Sequence, residues 1–355
     1  MGGRRANVSG HGAPALARVL VVLPNWYGET LFATPFLRLL RQQRPEAFLA
    51  TLGLPRCREI LAHHPGVDAL IDYDEQGAHR GPWGTWRLVR ELRRQRFDTA
   101  FILRRSLSRT LLLALAGVPA RIGAANRKSG WLLTHRAPAP AAPLHKASTY
   151  LPLLEAAGLS AVPGPYEYIV TERERQQARE RLAAHRAEHR TLVALHPGAN
   201  WEHKRWPVER FAALADRLIE SRGAQVAITG GPDDAPLAEA MTSKMRQRAL
   251  VLTGDTTLRE LGAVLAETSL VVANDTGVLH VAAALGRPVV ALFGPTSPRL
   301  TGPLGDPART IVLHHPDCCP SIPCRQPHHP GSPGMAAISV EEVYEAASRL
   351  LSRDA

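Results

Sequence analysis

The chain has 355 residues, of which 45% are hydrophobic and 21% charged, and its formal net charge is +11. This length predicts about two domains, and the composition excludes a disordered, collagenous or coiled-coil protein. No stretch reaches the ~18 consecutive apolar residues of a membrane span, and residues 1–15 lack the apolar core of a secretory signal. We therefore expect a cytoplasmic protein.

Strand and helix signals alternate through the first half, after a polar tail at residues 1–16. A continuous valine and leucine run at residues 17–24 predicts a buried strand, and the apolar stripe of residues 30–45 predicts one helix after it. The alternation continues with strands at 47–55, 69–74, 98–104 and 120–125, and with helices at 85–97, 107–117 and 145–159. This pattern predicts a doubly wound domain at residues 17–168.

The second half repeats the first in type. Strands are predicted at 191–198, 224–231, 250–255, 269–275 and 288–295, and helices at 171–190, 206–221, 236–247, 258–268 and 277–286. We place this second domain at residues 169–337. A last helix is predicted at residues 338–355, where Ser339 and Glu342 form a capping box at its start. This helix could pack on the first domain. The fold class is therefore α/β, with two Rossmann-like domains and a ligand cleft at the carboxyl ends of their strands.

The excess of positive over negative charge lies entirely in the first half. Residues 1–170 carry 22 lysines and arginines against 11 acidic residues, whereas residues 171–355 carry 21 of each. A basic half can face nucleic acid, an anionic membrane or an acidic substrate, and composition alone does not choose among them. Solvated surface arginines would give the same count.

The most informative motif follows the strand predicted at 269–275. There Asn274, Asp275 and Thr276 lead into a helix, and Gly277 lets a ligand approach the backbone amides of Thr276, Gly277 and Val278. Free amides at a helix N-terminus favour a diphosphate. Alternatively, Asp275 or Thr276 only caps the helix and His280 faces the core.

Two further loops follow predicted strands. The loop after residues 191–198 contains Lys204 and Arg205, and a cation there can neutralise a phosphate leaving group, unless the pair is only solvent-exposed. Its Trp201 and Trp206 either pack the loop or stack on a base. In the first half, Glu29 follows Gly28 at the first turn of a helix. Its carboxylate is a candidate general base or a residue that merely complements the helix dipole.

Other ligand motifs find little support. No GxGxxG occurs at these turns and no GxxxxGK[ST] occurs in the chain, which argues against nicotinamide and P-loop sites. The Asp-x-Asp pattern that would hold a nucleotide sugar through a metal is expected to be absent, so a divalent ion need not be assumed. Cys57 is expected to be buried and inert. The segment with Cys318, Cys319, Cys324, His328 and His329 matches no regular zinc spacing, which favours a packed or surface loop.

Four segments in order resemble glycosyltransferase family nine, the bacterial lipopolysaccharide heptosyltransferases, most closely the heptosyltransferase II type. They are LPNWYGETLFATPFLRLLR, LHPGANWEHKRWPVERFAALA, ANDTGVLHVAAALGRPVVALFGPTSP and CCPSIPCRQPHH. The resemblance runs from about residue 17 to 350. It implies a GT-B fold, with an acceptor-binding first domain and a nucleotide-sugar-binding second domain.

The resemblance also implies roles for individual residues. Glu29 occupies the position of the family's catalytic base, where the family usually has aspartate, and its arm is longer by about 1.3–1.5 Å. Lys204 matches the phosphate-contacting lysine. The donor diphosphate would lie against the turn of Asp275, Thr276 and Gly277, with Val278 and His280 beside it. No acceptor-binding residue is assigned, and the role of the three clustered cysteines stays open.

The implied reaction is a metal-independent, inverting transfer of heptose from ADP-heptose, without a cofactor. The implied acceptor is an anionic, lipid-linked oligosaccharide of the lipopolysaccharide inner core, so the protein would sit peripherally on the inner face of the inner membrane and would not bind nucleic acid. Three alternatives remain: a family-nine enzyme with another donor or glycan acceptor, a non-catalytic protein that binds anionic ligands or nucleic acid, and a sugar-nucleotide 2-epimerase.

Overall fold

The computed structural model describes residues 12–138, 140, 142–183, 191–318 and 333–353. The chain divides into two compact units, Met1–Glu167 and Tyr168–Ala355. This division falls one residue before the boundary expected from the sequence. Each unit is an α/β structure built on one sheet.

The first unit contains a six-stranded parallel sheet in the order β3-β2-β1-β4-β5-β6. Its strands and helices are, in chain order, β1 (Arg18–Val22), α1 (Tyr27–Phe32), α2 (Thr34–Gln43), β2 (Phe48–Gly53), α3 (Arg58–Leu61), β3 (Ala69–Asp72), α4 (Gly81–Gln95), β4 (Thr99–Ile102), α5 (Leu107–Leu115), β5 (Ala120–Ala124), β6 (His135–Ala137) and α6 (Leu151–Glu155).

The second unit contains another six-stranded parallel sheet, in the order β12-β11-β10-β7-β8-β9. Its elements are α7 (Glu172–Ala183), β7 (Leu192–His196), α8 (Val208–Arg222), β8 (Gln225–Ile228), α9 (Ala235–Thr242), β9 (Leu250–Val251), α10 (Leu258–Ala266), β10 (Leu270–Asn274), α11 (Gly277–Ala284), β11 (Val289–Phe293), α12 (Pro298–Thr301), β12 (Thr310–His314), α13 (Pro333–Ala337) and α14 (Val340–Leu351).

Both sheets have the doubly wound topology predicted from the alternating pattern. In each, the strand order reverses between the first and the fourth strand, that is between β1 and β4 and between β7 and β10. Ligands of open α/β sheets bind beyond the carboxyl ends of the strands at such a switch point. The predicted α/β class with two Rossmann-like units is therefore confirmed.

Two predicted helices differ from the observed ones. The helix expected at residues 30–45 is divided into α1 and α2 at Ala33, because Pro35 lies in the first turn of α2. A proline has no N–H for the helical ladder, and its ring excludes the carbonyl one turn back. The helix expected at 145–159 is a 3-10 helix, Lys146–Tyr150, followed by the short α6. Strands β6 and β12 were not predicted.

Buried aliphatic side chains fill both faces of the sheets. In the first unit, α4 and α5 share one core cluster with strands β1, β2 and β4. In the second unit, α14 contributes Val343, Ala346, Ala347 and Leu350 to the cluster that also contains α8 and strands β7, β8 and β10. The buried face of α14 thus packs in its own unit. Among the described helices, none is long and apolar enough to cross a bilayer.

Candidate active site

The loops that follow β7 and β10 lie side by side in the second unit. These strands are hydrogen-bonded neighbours, with His196 at the end of β7 opposite Ala273 of β10. Because both run in the same direction, the loop carrying Lys204 and the turn carrying Asp275 leave the sheet at the same edge. This edge is the switch point of the second sheet.

Asn274 joins these two loops from within the core. It has no exposed surface. Its side-chain Nδ2 donates to the carbonyl of Pro197 at 2.8 Å, and its Oδ1 accepts from the backbone N–H of Trp206 at 3.1 Å. A buried amide with both ends satisfied fixes the segments it joins. The loop after β7 is therefore held at both ends by the last residue of β10.

The two tryptophans of the loop differ in their surroundings. Trp206 is 2% exposed, packs edge-on against Phe211, and donates from Nε1 to the carbonyl of Ile338 at 2.9 Å. It is a packing residue, which settles one of the two alternatives for it. Trp201 is partly exposed and contacts the His203 ring.

Lys204 and Asp275 form an ion pair at the centre of this edge. The Lys204 Nζ lies 2.6 Å from Asp275 Oδ2, and the Thr296 hydroxyl donates to the same oxygen at 2.7 Å. The imidazole Nε2 of His280 lies 3.8 Å from Asp275 Oδ1. Burial alone would raise the pKa of Asp275, but the interaction with His280 and the positive charge of Lys204 lower it to about 2. Asp275 is thus an anion that orients Lys204.

The N-terminus of α11 has no cap from its own N-cap residue. Thr276 occupies that position in extended conformation, and its side chain makes no capping hydrogen bond. Its Oγ1 is buried and has no hydrogen-bond partner among the described residues. The first amides of a helix also have no acceptor within the helix. The end of α11 therefore presents several donors at the positive end of the helix dipole.

In the first unit, Glu29 lies in the first turn of α1, directly beyond β1. Its side chain is 30% exposed, and its Oε1 lies 3.5 Å from Lys146 Nζ. Burial, and secondly the charge of Glu29, raise the pKa of the neighbouring Tyr150. A partly exposed carboxylate beside one ammonium group is accessible to a proton donor from solution.

Arg109 of α5 supports the turn that precedes Glu29. Its side chain is 2% exposed. It donates from Nη1 to the carbonyl of Leu23 at 2.9 Å and from Nη2 to Asn25 Oδ1 at 2.7 Å. Glu75 Oε1 lies 3.5 Å from the same Nη2. Arg109 therefore fixes the backbone between β1 and α1, a role that its place in a leucine-rich helix did not suggest.

The comparison with known families now decides the class of protein. The family model described as glycosyltransferase family 9 (heptosyltransferase) matches residues 85–329. The chain belongs to this family. It is therefore a glycosyltransferase, and the resemblance predicted from its motifs is confirmed.

Characterised members of the family match most of the chain. Lipopolysaccharide heptosyltransferase 2 of Escherichia coli K12 is 30% identical over 315 residues, which cover 83% of this chain and 88% of that protein. Lipooligosaccharide heptosyltransferase 2 of Haemophilus influenzae is 31% identical over 317 residues, with the same two coverages.

Solved structures of the family share the fold. The E. coli ADP-heptose lipopolysaccharide heptosyltransferase II has a TM-score of 0.80 at 27% identity, covering 95% of this chain and 99% of that one. The glycosyltransferase family 9 protein of Veillonella parvula has a TM-score of 0.86 at 28% identity, covering 95% and 98%. These matches confirm the predicted GT-B class.

Most residues predicted for the glycosyltransferase donor site lie together in the second unit. Asp275 contacts both Lys204 and His280, and Thr276, Gly277 and Val278 form the start of α11 beside it. Neither Asp275 nor Thr276 caps α11 with its side chain, although His280 is buried as the alternative reading held. Glu29 belongs to the other unit. Thr296, Asn274 as a loop anchor, Lys146 and Arg109 were missed, because only the tertiary structure brings them to these positions.

The cysteines contribute little to the described part of the site. Cys57 is buried, as expected, and burial raises the pKa of its thiol, which makes it a poor nucleophile. Cys318 is exposed. Cys319, Cys324, His328 and His329 lie outside the described residues, so the expectation of a packed or surface loop there remains a prediction. Among the residues that are described, no group of three or more His, Cys, Asp or Glu side chains could hold a metal ion.

The expectation that the chain has no Asp-x-Asp pattern is wrong, because one occurs at Asp72 and Asp74 at the end of β3. Asp72 pairs with Arg58 at 3.3 Å. Asp74 accepts from the backbone N–H groups of Gly77 and Ala78, and these hydrogen bonds lower its pKa. Both carboxylates are therefore engaged in local structure of the first unit.

Proposed function

We propose that this chain transfers heptose from ADP-heptose to the inner core of lipopolysaccharide, with inversion at the anomeric carbon. The observation that carries the proposal is the uncapped N-terminus of α11 beside the oriented ammonium of Lys204. Together they offer amide donors, a buried hydroxyl and a positive charge, which is the chemistry that a nucleoside diphosphate needs. The names of the relatives supply the sugar and the acceptor class.

The diphosphate of the donor would accept from the amides of Thr276, Gly277 and Val278 and from the Thr276 hydroxyl. Lys204 would neutralise the charge that develops on the departing ADP. Asp275 is itself an anion and would repel phosphate, so we assign it to orienting Lys204, and we assign His280 and Thr296 to holding Asp275. This modifies the expectation that Asp275 and His280 contact the donor directly.

Glu29 would act as the general base. Its carboxylate removes the proton of the acceptor heptose hydroxyl while that oxygen attacks the anomeric carbon. The bond from the anomeric carbon to the diphosphate oxygen breaks, and its electron pair leaves with ADP. Lys146 lies near enough to keep Glu29 oriented. No step in this scheme requires a metal ion or a further cofactor.

The acceptor would bind to the first unit. The net positive charge of the chain comes from residues 1–170, and an acceptor of this class is anionic and lipid-linked. We therefore propose a peripheral location at the cytoplasmic face of the inner membrane and no nucleic-acid partner.

The proposal is tested by incubating the protein with ADP-heptose and other nucleotide sugars, with and without a heptosylated inner-core acceptor. Of the nucleotide sugars, we expect only ADP-heptose to raise the mass of the acceptor by one heptose. The same mass increase is expected in the presence of EDTA. Transfer from a different donor would contradict the assigned substrate. Loss of activity in EDTA that magnesium restores would contradict the metal-independent mechanism.

A further inference from the structure

Helix α5 of the first unit has leucines on both of its faces. Leu112 and Leu113 are buried in the core. Leu107, Leu111 and Leu115 recur every four residues on the opposite face and are 43%, 42% and 43% exposed. Residues spaced by four lie on one helical stripe. This stripe is exposed apolar surface that the core of the unit does not use.

Helix α4 extends the same surface with two exposed tryptophans. Trp83 is 85% exposed and Trp86 is 44% exposed. The inner residues of α4 lie in the same core cluster as those of α5, so both helices cover one face of the sheet and their outer faces point the same way. Contiguous exposed apolar surface of this kind marks an interaction site.

Arg93 joins the two helices at the surface. Its guanidinium lies 5.5 Å from the centre of the Trp86 ring, and its Nε donates to the carbonyl of Leu115 at 2.9 Å. Trp86, Arg93 and Leu115 are therefore adjacent. We call the outer surface formed by the two tryptophans, the three leucines and the arginines of α4 the α4/α5 face.

The α4/α5 face is strongly basic. Arg87, Arg90, Arg93 and Arg94 are all exposed on α4, and Glu91 is the single acidic residue of that helix. Tryptophan at headgroup depth, leucine below it and arginine reaching toward phosphate is the composition that binds the surface of an anionic bilayer. A protein-binding surface would be expected to have fewer like charges, and a nucleic-acid surface would not need the leucine stripe.

We propose that the α4/α5 face docks on an anionic phospholipid bilayer. Arginine side chains would contact lipid phosphates, while Trp83, Trp86 and the leucine stripe would insert into the headgroup region. This inference rests on the proposed function in one respect only, since a lipid-linked acceptor explains why the enzyme would need such a surface. The docking itself can be measured without any sugar transfer.

The test uses the full chain and sedimentation with vesicles of phosphatidylcholine alone or with phosphatidylglycerol, at low and high salt. The charge variant is Arg90→Glu/Arg94→Glu. Its matched control is Arg173→Glu/Arg248→Glu, which makes the same charge change at two exposed positions of the second unit. We expect wild type to bind phosphatidylglycerol vesicles at low salt, the charge variant to bind at least about tenfold more weakly, and the control to stay within about twofold of wild type.

A third variant, Leu111→Ser/Leu115→Ser, separates a bilayer from other polyanions. We expect it to lose binding to vesicles but not binding to heparin, with an unchanged circular dichroism spectrum. Vesicle binding by this variant at the wild-type level would overturn the bilayer assignment. Equal losses in the charge variant and its control would overturn the assignment to this face, as would failure of wild type to bind any vesicle.

The same variants distinguish this inference from the proposed function. All of them should bind ADP with the wild-type affinity, because none of the changed residues belongs to the donor site. If wild type binds vesicles through the α4/α5 face but transfers no heptose, the proposed function fails and the docking surface stands. If heptose is transferred but the variants bind vesicles like wild type, the proposed function stands and the docking surface fails.

Discussion

The ammonium of Lys204 and the carboxylate of Asp275 are 2.6 Å apart, although the two residues are separated by 71 positions in the chain. The carboxylate also accepts from Thr296, and His280 lies on its other side. The lysine is therefore oriented before a donor binds, and less conformational entropy has to be lost on binding. Mutations of the two residues should therefore affect different properties. Loss of Lys204 should affect catalysis, and loss of Asp275 should affect the pH dependence of stability.

Replacement of Lys204 by alanine should raise the activation free energy by ~2–4 kcal/mol, because the developing charge on ADP loses its counter-ion. This corresponds to a decrease in kcat/KM of about 30- to 1,000-fold. Steady-state kinetics with ADP-heptose measure this. Lys244→Ala is the control, since that lysine forms an exposed ion pair with Glu209 at 3.4 Å. If kcat/KM of Lys204→Ala is as close to the wild-type value as kcat/KM of the control, Lys204 does not belong to the site.

Replacement of Thr276 by valine should weaken ADP binding by about 5- to 10-fold while the melting temperature changes little. The hydroxyl has no partner among the described residues, so the fold loses no hydrogen bond, whereas a ligand would lose one worth ~1–1.5 kcal/mol. Thr268→Val should instead lower the melting temperature and leave ADP binding unchanged, because the buried Thr268 hydroxyl donates to the carbonyl of Leu265 at 2.7 Å. Calorimetry with ADP and thermal denaturation separate the two; a matching pattern in both variants would contradict the assignment.

Asp275 should make stability depend on acid pH. Its pKa in the folded chain is about 2, below the ordinary value of 3.8. A carboxylate with a lowered pKa contributes stability above about pH 4, and this contribution is lost as the pH falls towards 2. At neutral pH it amounts to about 2 kcal/mol, by order of magnitude. Urea unfolding of wild type and Asp275→Asn across this range should therefore converge at low pH, and parallel curves would be inconsistent with the ion pair.

Glu29→Gln should lower kcat by ~100- to 10,000-fold with little change in donor affinity, because the amide keeps the shape and removes the basicity. Glu29→Asp restores the residue more usual in the family and should retain activity. Glu46→Gln, at an exposed position of the same unit, serves as the control. If Glu29→Gln keeps most of its kcat, Glu29 only complements the dipole of α1.

The regular elements near the site were predictable because their signals are local. The continuous apolar runs of β1, β7 and β10 predict buried parallel strands, and the observed strands have almost no exposed residue. The break between α1 and α2 was missed although Pro35 is visible in the sequence. The stripe of apolar residues continues across Ala33 with helical spacing, so the hydrophobic pattern alone predicts one uninterrupted helix.

The contacts between loops were not predictable in the same way. The order of the strands along the chain does not reveal that β7 and β10 are neighbours, and this pairing brings Lys204 to Asp275. Resemblance to the family indicated both residues but placed both against the donor. That one of them serves to hold the other follows only from their distance and from the hydroxyl of Thr296, which lies in a different segment.

The buried guanidinium of Arg109 has a consequence for the order in which the protein forms. Asn25, which it holds, precedes it by 84 residues. During synthesis, β1 and the first turn of α1 leave the ribosome well before α5 exists. Until α5 docks and supplies this arginine, the carbonyl of Leu23 and the side chain of Asn25 lack the donor that fixes them. The turn before Glu29 can therefore reach its final geometry only late, once more than a hundred residues of the chain have been made.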